Sequence, residues 1–175
     1  KGIIDKETWN AVQEEFERRE KFMQKHGTDR YSYGSECYPF CEKIFCGECG
    51  SLFTRHSWKS RGIIQWQCKN HRKDGKVGCT TASVDNADLE KGFVKAFNRL
   101  VGEREKHIER WNSMKLDGTP LEKIRAGQMM EATESGQLQQ YVPEAAQLVL
   151  EEITIFGAKK YEFAFLEGSR VKVSV

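Results

Sequence analysis

Apolar and polar positions along the chain predict β-structure in two separate regions. Residues 52 to 58 and 63 to 67 alternate around Ser60-Arg61-Gly62, which is typical of two strands joined by a turn. The short run Lys43-Ile44-Phe45 predicts another strand before this hairpin. Towards the C-terminus, residues 153–156, 161–165 and 171–175 alternate in the same way and predict a three-stranded antiparallel meander.

A charged helix is predicted over residues 3–25. Asp5 is its expected N-cap, and Trp9, Val12 and Phe16 recur near helical spacing, with Met23 further along. We expect this apolar side to be the packed one. The opposite side is expected to face solvent, with ion pairs three and four residues apart: Glu14, Glu15, Glu17, Arg18, Arg19 and Glu20.

The central part of the chain predicts a long helix followed by a second one. Asp85 or Asn86 would begin a helix of about 24 residues with one apolar stripe: Leu89, Phe93, Phe97, Leu100, Val101, Ile108 and Trp111. We expect its first half to pack on the hairpin and its charged second half to project. Thr119-Pro120-Leu121-Glu122 then opens a second helix, which fades by Gly136 and forms an antiparallel pair with the first. A short helix is expected from Pro143 to Leu150.

Four of the six cysteines have the spacing of metal ligands. Cys46 and Cys49 form a Cys-x-x-Cys pair beside Gly47 and Gly50, and Cys68 and Cys79 follow the hairpin. Zinc takes four such thiolates in a tetrahedron, and the hairpin returns the second pair to the first. The sequence therefore predicts one structural Zn²⁺ held by Cys46, Cys49, Cys68 and Cys79 in a zinc ribbon.

Other ligand sets are open to this sequence. His71 lies three residues after Cys68, so a Cys-x-x-His knuckle would be an alternative to Cys79. We prefer Cys79, because Gly75 and Gly78 supply a turn leading into it. Cys37 and Cys41 would need two further donors for a second metal. The nearest histidines have no paired spacing, so a second site is not expected: His26, His56 and His71.

The basic residues concentrate around the cysteines. The whole chain has a formal net charge of only +2, but residues 50 to 80 carry seven lysines and arginines against Asp74 alone. A positive patch confined to a metal-held hairpin indicates a polyanionic partner. In a hairpin Arg55 and Ser57 share one face, and His56 and Trp58 share the other. Lys59 and Arg61 are expected at the tip, between the two strands. A two-stranded ribbon fits the major groove of DNA.

The expected contacts with double-stranded DNA follow from this placement. The set is Arg55, His56, Lys59, Arg61, Lys69, Arg72, Lys73 and Lys76. Arg30, Tyr31 and Tyr33 lie in a stretch of glycine, small polar residues and tyrosine that predicts a linker. These three would either follow a DNA backbone or pack on the next domain.

Several classes of protein are disfavoured. No stretch approaches eighteen consecutive apolar residues and no secretory leader precedes the first helix, so we expect no membrane anchor and a reducing, cytoplasmic location. The sequence starts at Lys1, which suggests a piece of a longer protein. Four cysteines leave no open position for catalytic zinc, and no Ser, His and Asp grouping offers a nucleophile, so this piece is not expected to be an enzyme. A zinc-ribbon module that binds proteins, as in transcription assemblies, is the alternative to DNA binding.

The chain resembles the C-terminal part of large serine recombinases, the serine integrases of phages and the recombinases of conjugative transposons. The resemblance rests on residues 3–9 followed by a charged helix, on Lys43 to Gly50, on Trp66-Gln67-Cys68 and on Cys79. It implies an α+β fold in which residues 1–25 are the last helix of the recombinase domain and 26–42 a linker. Residues 43–175 would then be the zinc ribbon domain, with a helical hairpin and a small antiparallel sheet.

The family resemblance also implies a function. The zinc ribbon domain would bind an attachment-site half-site during DNA integration by a mobile element, with the four cysteines as its zinc ligands. The catalytic serine would belong to an N-terminal domain. The full-length recombinase would bind each site as a dimer, form a tetramer in synapsis and respond to a directionality factor. Family members of the integrase type carry a long coiled coil here, whereas residues 102–141 leave room only for an abbreviated one or for another helical hairpin in its place.

Overall fold

The computed structural model describes residues 3–29, 31, 38–58 and 62–175. These residues form six α-helices, a short 3₁₀ turn (Gly75–Val77) and two small sheets, so the α+β fold class is confirmed. The helices are α1 (Lys6–His26), α2 (Lys69–Asp74), α3 (Asn86–Gly102), α4 (Arg104–Asp117), α5 (Pro120–Glu134) and α6 (Pro143–Val149). The strands are β1 (Ile44–Cys46), β2 (Phe53–Trp58), β3 (Ile63–Cys68), β4 (Val84–Asp85), β5 (Leu150–Ile155), β6 (Lys160–Phe165) and β7 (Arg170–Ser174).

The predicted hairpin is present and has a third strand. Strands β2 and β3 pair antiparallel from Phe53↔Cys68 to Trp58↔Ile63. Strand β4 adds to β3 through two residue pairs, which the sequence did not predict because two residues carry no readable alternation. The Trp66 indole N–H donates to Asn86 Oδ1 at 2.8 Å, so the hairpin is fixed to the first turn of α3.

The C-terminal meander is also present, but it has a fourth strand. The order is β1-β5-β6-β7, and β1 runs parallel to β5 with Ile44 opposite Ile153 and Cys46 opposite Ile155. All three residues of β1 are buried, as is usual for a parallel strand covered on both faces. The first cysteine of the metal cluster therefore ends a strand of the C-terminal sheet.

Helix α3 covers the C-terminal sheet with the apolar stripe that the sequence predicted. The ring of Phe93 lies 6.2 Å from that of Phe163 and 6.5 Å from that of Phe165. Gly92 allows this close approach, because a Cβ there would lie 3.1 Å from the Phe163 ring. The start of α3 contacts β3 and β4, so the same helix joins the two sheets.

The prediction of one long, projecting helix is wrong. The helix ends at Gly102, and Glu103 (φ −103°, ψ 15°) separates it from α4. Glycine has a low helix propensity, and after the break Arg110 of α4 donates to the carbonyl of Glu167 in the turn between β6 and β7 at 2.7 Å. Trp111 on α4 is fully buried at 0% exposure. Helix α5 begins with the predicted capping box and pairs with α4.

Helix α1 packs with the opposite face from the one predicted. Trp9 and Phe16 are 55% and 57% exposed, whereas Glu15 is only 8% exposed. The Glu15 carboxylate accepts hydrogen bonds from Arg18 and Arg19 of its own helix at 2.8 Å and from Arg125 of α5 at 2.9 Å. The hydrophobic pattern of α1 did not predict this packed face, because its contact with α5 is made by opposite charges. A hydrophobic pattern does not record such contacts.

A second ionic anchor fixes the end of α1 to the C-terminal sheet. The Glu152 side chain, 3% exposed, lies 3.0 Å from Lys25 Nζ, 2.7 Å from His26 Nε2 and 2.9 Å from Arg170 Nη2. The ring of His26 also stacks on Phe45 at 3.6 Å between centroids. The helix that the sequence assigns to an upstream domain thus has its own partners within this chain.

Candidate metal centre and nucleic-acid interface

The four predicted cysteines come together in one cluster. Cys46 ends β1, Cys49 follows in the next turn, Cys68 ends β3 and Cys79 follows the 3₁₀ turn. Their four Sγ atoms all lie within 4.8 Å of one another. The closest pairs are Cys46 with Cys79 at 3.6 Å and Cys49 with Cys68 at 3.5 Å.

These distances fit a tetrahedral zinc. Zn–S bonds of about 2.3 Å place the sulfurs of a tetrahedron about 3.8 Å apart. Three of the four thiols are buried and Cys49 is half-buried, so the cluster is shielded from water as a structural site requires. The cluster is consistent with one structural zinc and its four thiolates would complete the coordination shell.

Two tight turns present the cysteine pairs. Gly50 has φ +72° and its N–H donates to Cys46 O at 2.8 Å, which closes the first turn. Gly47 lies against the side chain that follows β5, since a Cβ there would lie 2.6 Å from Phe156 Cδ1. It is needed for close packing against the end of β5. The second turn is closed by Gly75, whose carbonyl accepts from the N–H groups of Gly78 and Cys79.

Glu48 connects the two halves of the cluster. Its carboxylate accepts from the Thr80 N–H at 3.2 Å, the Thr80 hydroxyl at 2.8 Å and the Thr81 hydroxyl at 2.8 Å. These bonds lower the pKa of Glu48 below its ordinary value. Sequence reasoning missed this residue, because its partners lie some thirty residues away and only the folded hairpin brings them together.

Polar groups also surround the sulfurs. The Thr81 hydroxyl lies 3.1 Å from Cys46 Sγ, and Asn70 Nδ2 donates towards Cys49 Sγ at 3.7 Å. Burial raises the pKa of Cys46, but the Thr81 bond and nearby backbone N–H groups outweigh it and leave the pKa lowered. Burial raises the pKa of the Cys49 thiol to about 12. Zinc binding displaces these protons, so affinity for the metal falls in acid.

The alternative ligands lie outside the cluster. His71 Nδ1 is 2.6 Å from the carbonyl oxygen of Cys79 and so supports the backbone of a ligand. Cys41 is a half-buried free thiol whose pKa is raised by burial, and Cys37 lies outside the described residues. Within the described ranges, the four cysteines are the only group of three or more potential ligands at metal-binding distance.

The hairpin separates its basic residues onto two faces. The guanidinium of Arg55 lies 4.1 Å from the centre of the Tyr38 ring, on the face that also carries the buried Trp66. On the other face Arg72 of α2 donates to His56 Nε2 at 3.4 Å. Burial and then the charge of Arg72 lower the pKa of His56. Arg72 therefore joins α2 to the face of the hairpin that carries His56, and the sequence did not predict this contact.

The segment after the hairpin is basic and open to solvent. Its four cations are exposed, and none of them pairs with a carboxylate among the described residues: Lys69, Arg72, Lys73 and Lys76. Val77 beside them is 97% exposed, and Trp58 and Ile63 near the hairpin tip are 45% and 40% exposed. This surface therefore combines unpaired positive charge with a few apolar side chains.

The remaining predicted contacts divide into two groups. Arg30, Tyr33, Lys59 and Arg61 lie outside the residues that the structure describes. Tyr31 packs against α1: its hydroxyl accepts from Arg18 Nη2 at 2.9 Å, and its ring meets that of Phe22 edge-on at 5.2 Å. Tyr31 thus packs on the preceding helix α1, whereas the alternative to DNA contact in the sequence analysis was packing on the next domain.

Comparison with known proteins agrees with the cluster. Residues 39–98 match the family described as recombinase zinc beta ribbon domain. Searches of curated proteins and of solved structures gave no match. No described helix is both long and apolar enough to cross a membrane. The matched segment contains all four clustered cysteines and the hairpin between them. The match over residues 39–98 is consistent with the C-terminal region of a serine recombinase.

Proposed function

We propose that this chain binds double-stranded DNA through the basic segment formed by residues 50–80. The observation that carries the proposal is that four of its cations are exposed and have no carboxylate partner among the described residues: Lys69, Arg72, Lys73 and Lys76. Elsewhere in the described chain most arginines are held by carboxylates, as Arg18 is by Glu15 and Glu151. Unpaired cations on a rigid, zinc-held surface are what neutralisation of backbone phosphates requires.

The geometry also supports reading of DNA sequence. Beyond the two residue pairs that β3 makes with β4, strands β2 and β3 form a two-stranded ribbon, which fits the major groove. Arg55 is held by Tyr38 and is therefore presented in one orientation. Arg72 and His56 lie together on the opposite face. Backbone contacts from α2 would set the position of the ribbon, while side chains of the hairpin would contact base edges.

The match to a recombinase family supports an inference about which DNA the chain would bind. We infer that the chain recognises an attachment-site half-site and that its parent recombinase supplies the catalytic serine. In that parent, a dimer would occupy each site and a tetramer would form in synapsis. Residues 1–25 would close the recombinase domain, and residues 102–141 would take the place of the coiled coil. In the structure, these elements are α1 and the α4–α5 hairpin, and they pack on each other.

Salt titration of DNA binding tests the proposal. The binding constant varies with the salt concentration to a power of about −0.9 for each phosphate contact. The variant Arg72→Gln/Lys73→Gln loses two such contacts and should therefore bind a half-site duplex about 30-fold more weakly at 0.15 M salt. The slope of log affinity against log salt should fall by about 1.8. Lys91→Gln/Lys115→Gln is the matched control, since both lysines are exposed and lie outside the basic segment. Equal slopes for the two variants would exclude the basic segment as the DNA contact.

A protein-binding role is the second candidate. Trp58 and Ile63 face each other across the hairpin near its tip and are both partly exposed. Such a pair suits an apolar contact with another protein. Binding that persists unchanged at high salt and is lost in Trp58→Ala would favour this role over DNA binding.

A further inference from the structure

The sheets do not support the four clustered cysteines equally. Cys46 ends β1, which pairs with β5, and Cys68 ends β3, which pairs with β2. Cys49 lies in the closed turn between β1 and β2. Cys79 instead begins a segment without helix or strand, residues 79–83, which we call the Cys79 arm. Segments outside sheets and helices open at a lower free-energy cost than paired strands, so this arm depends on side-chain contacts to stay in place.

A carboxylate from the first cysteine turn supplies such contacts. Glu48 belongs to the Cys-x-x-Cys turn, and its Oε1 accepts from the N–H and the hydroxyl of Thr80 at 3.2 and 2.8 Å. Its Oε2 accepts from the Thr81 hydroxyl at 2.8 Å. One side chain therefore connects the Cys-x-x-Cys turn to the two residues that directly follow Cys79.

Thr81 extends this connection to the sulfur atoms. It is buried, at 6% exposure, and its hydroxyl oxygen lies 3.1 Å from Cys46 Sγ and 3.3 Å from Cys79 Sγ. Thr81 thus contacts one sulfur from each half of the cluster, while its bond to Glu48 fixes its position. Groups that orient metal ligands from outside the coordination shell strongly affect metal affinity.

The charge of Glu48 acts in the opposite direction from its hydrogen bonds. Its Oε2 lies 3.7 Å from Cys79 Sγ, which would be a thiolate with zinc bound. Two negative groups at this distance repel each other, but Glu48 is exposed, and the high dielectric constant of water weakens the repulsion. Three hydrogen bonds from the Cys79 arm stand against this single repulsion. We therefore expect the hydrogen bonds to decide the effect of Glu48 on the metal site.

The Cys79 arm also ends the cation-bearing stretch of the chain. Helix α2 and the 3₁₀ turn lie between Cys68 and Cys79, so both ends of this stretch are joined to the metal cluster. Loss of Cys79 from zinc would leave the metal holding the stretch at one end only. A group that holds the Cys79 arm therefore also helps to keep these cations in place.

We propose that Glu48 is a positioning residue of the zinc site, which holds the Cys79 arm against the Cys-x-x-Cys turn and so slows the release of zinc. Zinc leaves a four-cysteine site after one thiolate has detached, and Cys79, at the start of an arm outside both sheets, is expected to detach first. With Glu48 in place, a detached Cys79 stays near the metal at a high effective concentration and binds again. The inference concerns the metal site and does not depend on DNA binding.

The rate of zinc release from the zinc-loaded full chain tests the inference. The protein is mixed with excess pyridylazoresorcinol, at concentrations where the rate no longer depends on this chelator, and the absorbance of the zinc complex is followed. Glu48→Ala should release zinc about ten times faster than the unsubstituted chain. Glu48→Gln keeps an acceptor oxygen for Thr80 and should release zinc at nearly the unsubstituted rate. Glu105→Ala, at an exposed glutamate of α4, is the matched control and should leave the rate unchanged.

Two further measurements separate the hydrogen bonds from a general loss of structure. Thr80→Val keeps the shape of the side chain and removes its hydroxyl. It should speed up zinc release when Glu48 is present and have no further effect in Glu48→Ala, because the two residues act through one contact. Alkylation with iodoacetamide, read by mass spectrometry, identifies which of the four clustered cysteines detaches first. In Glu48→Ala this should be Cys79.

Several outcomes would overturn the inference. Zinc release from Glu48→Ala at the rate of Glu105→Ala would show that Glu48 does not hold the site. Equal rates for Glu48→Gln and Glu48→Ala would show that the charge of Glu48, and not its hydrogen bonds, decides the rate. Earlier alkylation of one of the other three cysteines in Glu48→Ala would contradict the role of the Cys79 arm. If Glu48→Ala does not take up zinc, Thr80→Val decides, and release at the control rate refutes the inference.

Discussion

The anchor between α1 and the C-terminal sheet should be sensitive to the charge of one carboxylate. The perturbation is Glu152→Gln, which keeps the size of the side chain and removes its charge. Glu152 is 3% exposed and is contacted by Lys25, His26 and Arg170. Three donors would then face a neutral amide, so the folded state should lose stability.

The magnitude follows from the pKa of the carboxyl group. Burial alone would raise the pKa of Glu152, but hydrogen bonds from His26, Lys25 and Arg170 outweigh burial and lower it from 4.5 to about 2. A shift of this size corresponds to about 3 kcal/mol of stabilisation. Lys25 and Arg170 are about half exposed, so solvent screening reduces the expected loss to about 2 kcal/mol.

The pH dependence has a definite sign. Because the folded pKa lies below the ordinary one, the stabilisation is fully present above about pH 5 and is lost as the pH falls from 4.5 to about 2. Glutamine does not titrate. The difference in unfolding free energy between the unsubstituted chain and Glu152→Gln should therefore be largest near neutrality and shrink through this window. Urea unfolding at a series of pH values, at one zinc concentration, measures it.

An exposed ion pair on the same helix provides the control. Glu7 lies 3.3 Å from Lys123 of α5, with side chains 64% and 37% exposed. Glu7→Gln should change stability by less than about 0.5 kcal/mol, because exposed pairs are screened. If Glu152→Gln behaves like Glu7→Gln at every pH, the ionic anchor of α1 is not a source of stability and the reasoning is refuted.

Two further predictions concern the metal centre. Cys79→Ser should lose the bound zinc whereas His71→Ser should keep one equivalent, as measured by metal analysis after dialysis; the reverse result would make His71 the fourth ligand. Gly47→Ala should destabilise the chain by about 1–3 kcal/mol in urea unfolding, because its Cβ would lie 2.6 Å from the Phe156 ring. A Cβ added at Gly102 would have no atom within 4 Å, so Gly102→Ala should leave the stability unchanged or raise it by up to about 1 kcal/mol. An equal loss of stability in Gly47→Ala and Gly102→Ala would contradict the packing argument.

The sequence predicted those features that depend on local spacing. The cysteine pairs, the hairpin, the stripe of α3 and the capping box at Thr119 each require residues within one or two turns of one another. These features can therefore be predicted directly from the order of the residues in the sequence. The zinc cluster was predictable for the same reason, once the hairpin was expected to return Cys68 to Cys49.

Features that depend on distant partners were not predictable. The short strand at residues 43–45 was predicted, but its parallel pairing with β5 was not, and the role of Glu48 appears only with Thr80 and Thr81. The packed face of α1 was misassigned because its partners, Arg125 and Glu151, are more than a hundred residues away. In each case the interacting residues belong to elements that are far apart in the sequence. No local sequence pattern predicts how such elements are placed relative to each other.

A footprint on half-site DNA with and without zinc tests the central claim most directly. A structural zinc supplies roughly 10 kcal/mol or more of folding free energy in small modules, so a chelator should unfold the ribbon. The zinc-loaded chain should protect the half-site, chelation should abolish the protection and added zinc should restore it. Protection that survives complete removal of zinc would contradict a zinc-held, DNA-binding ribbon.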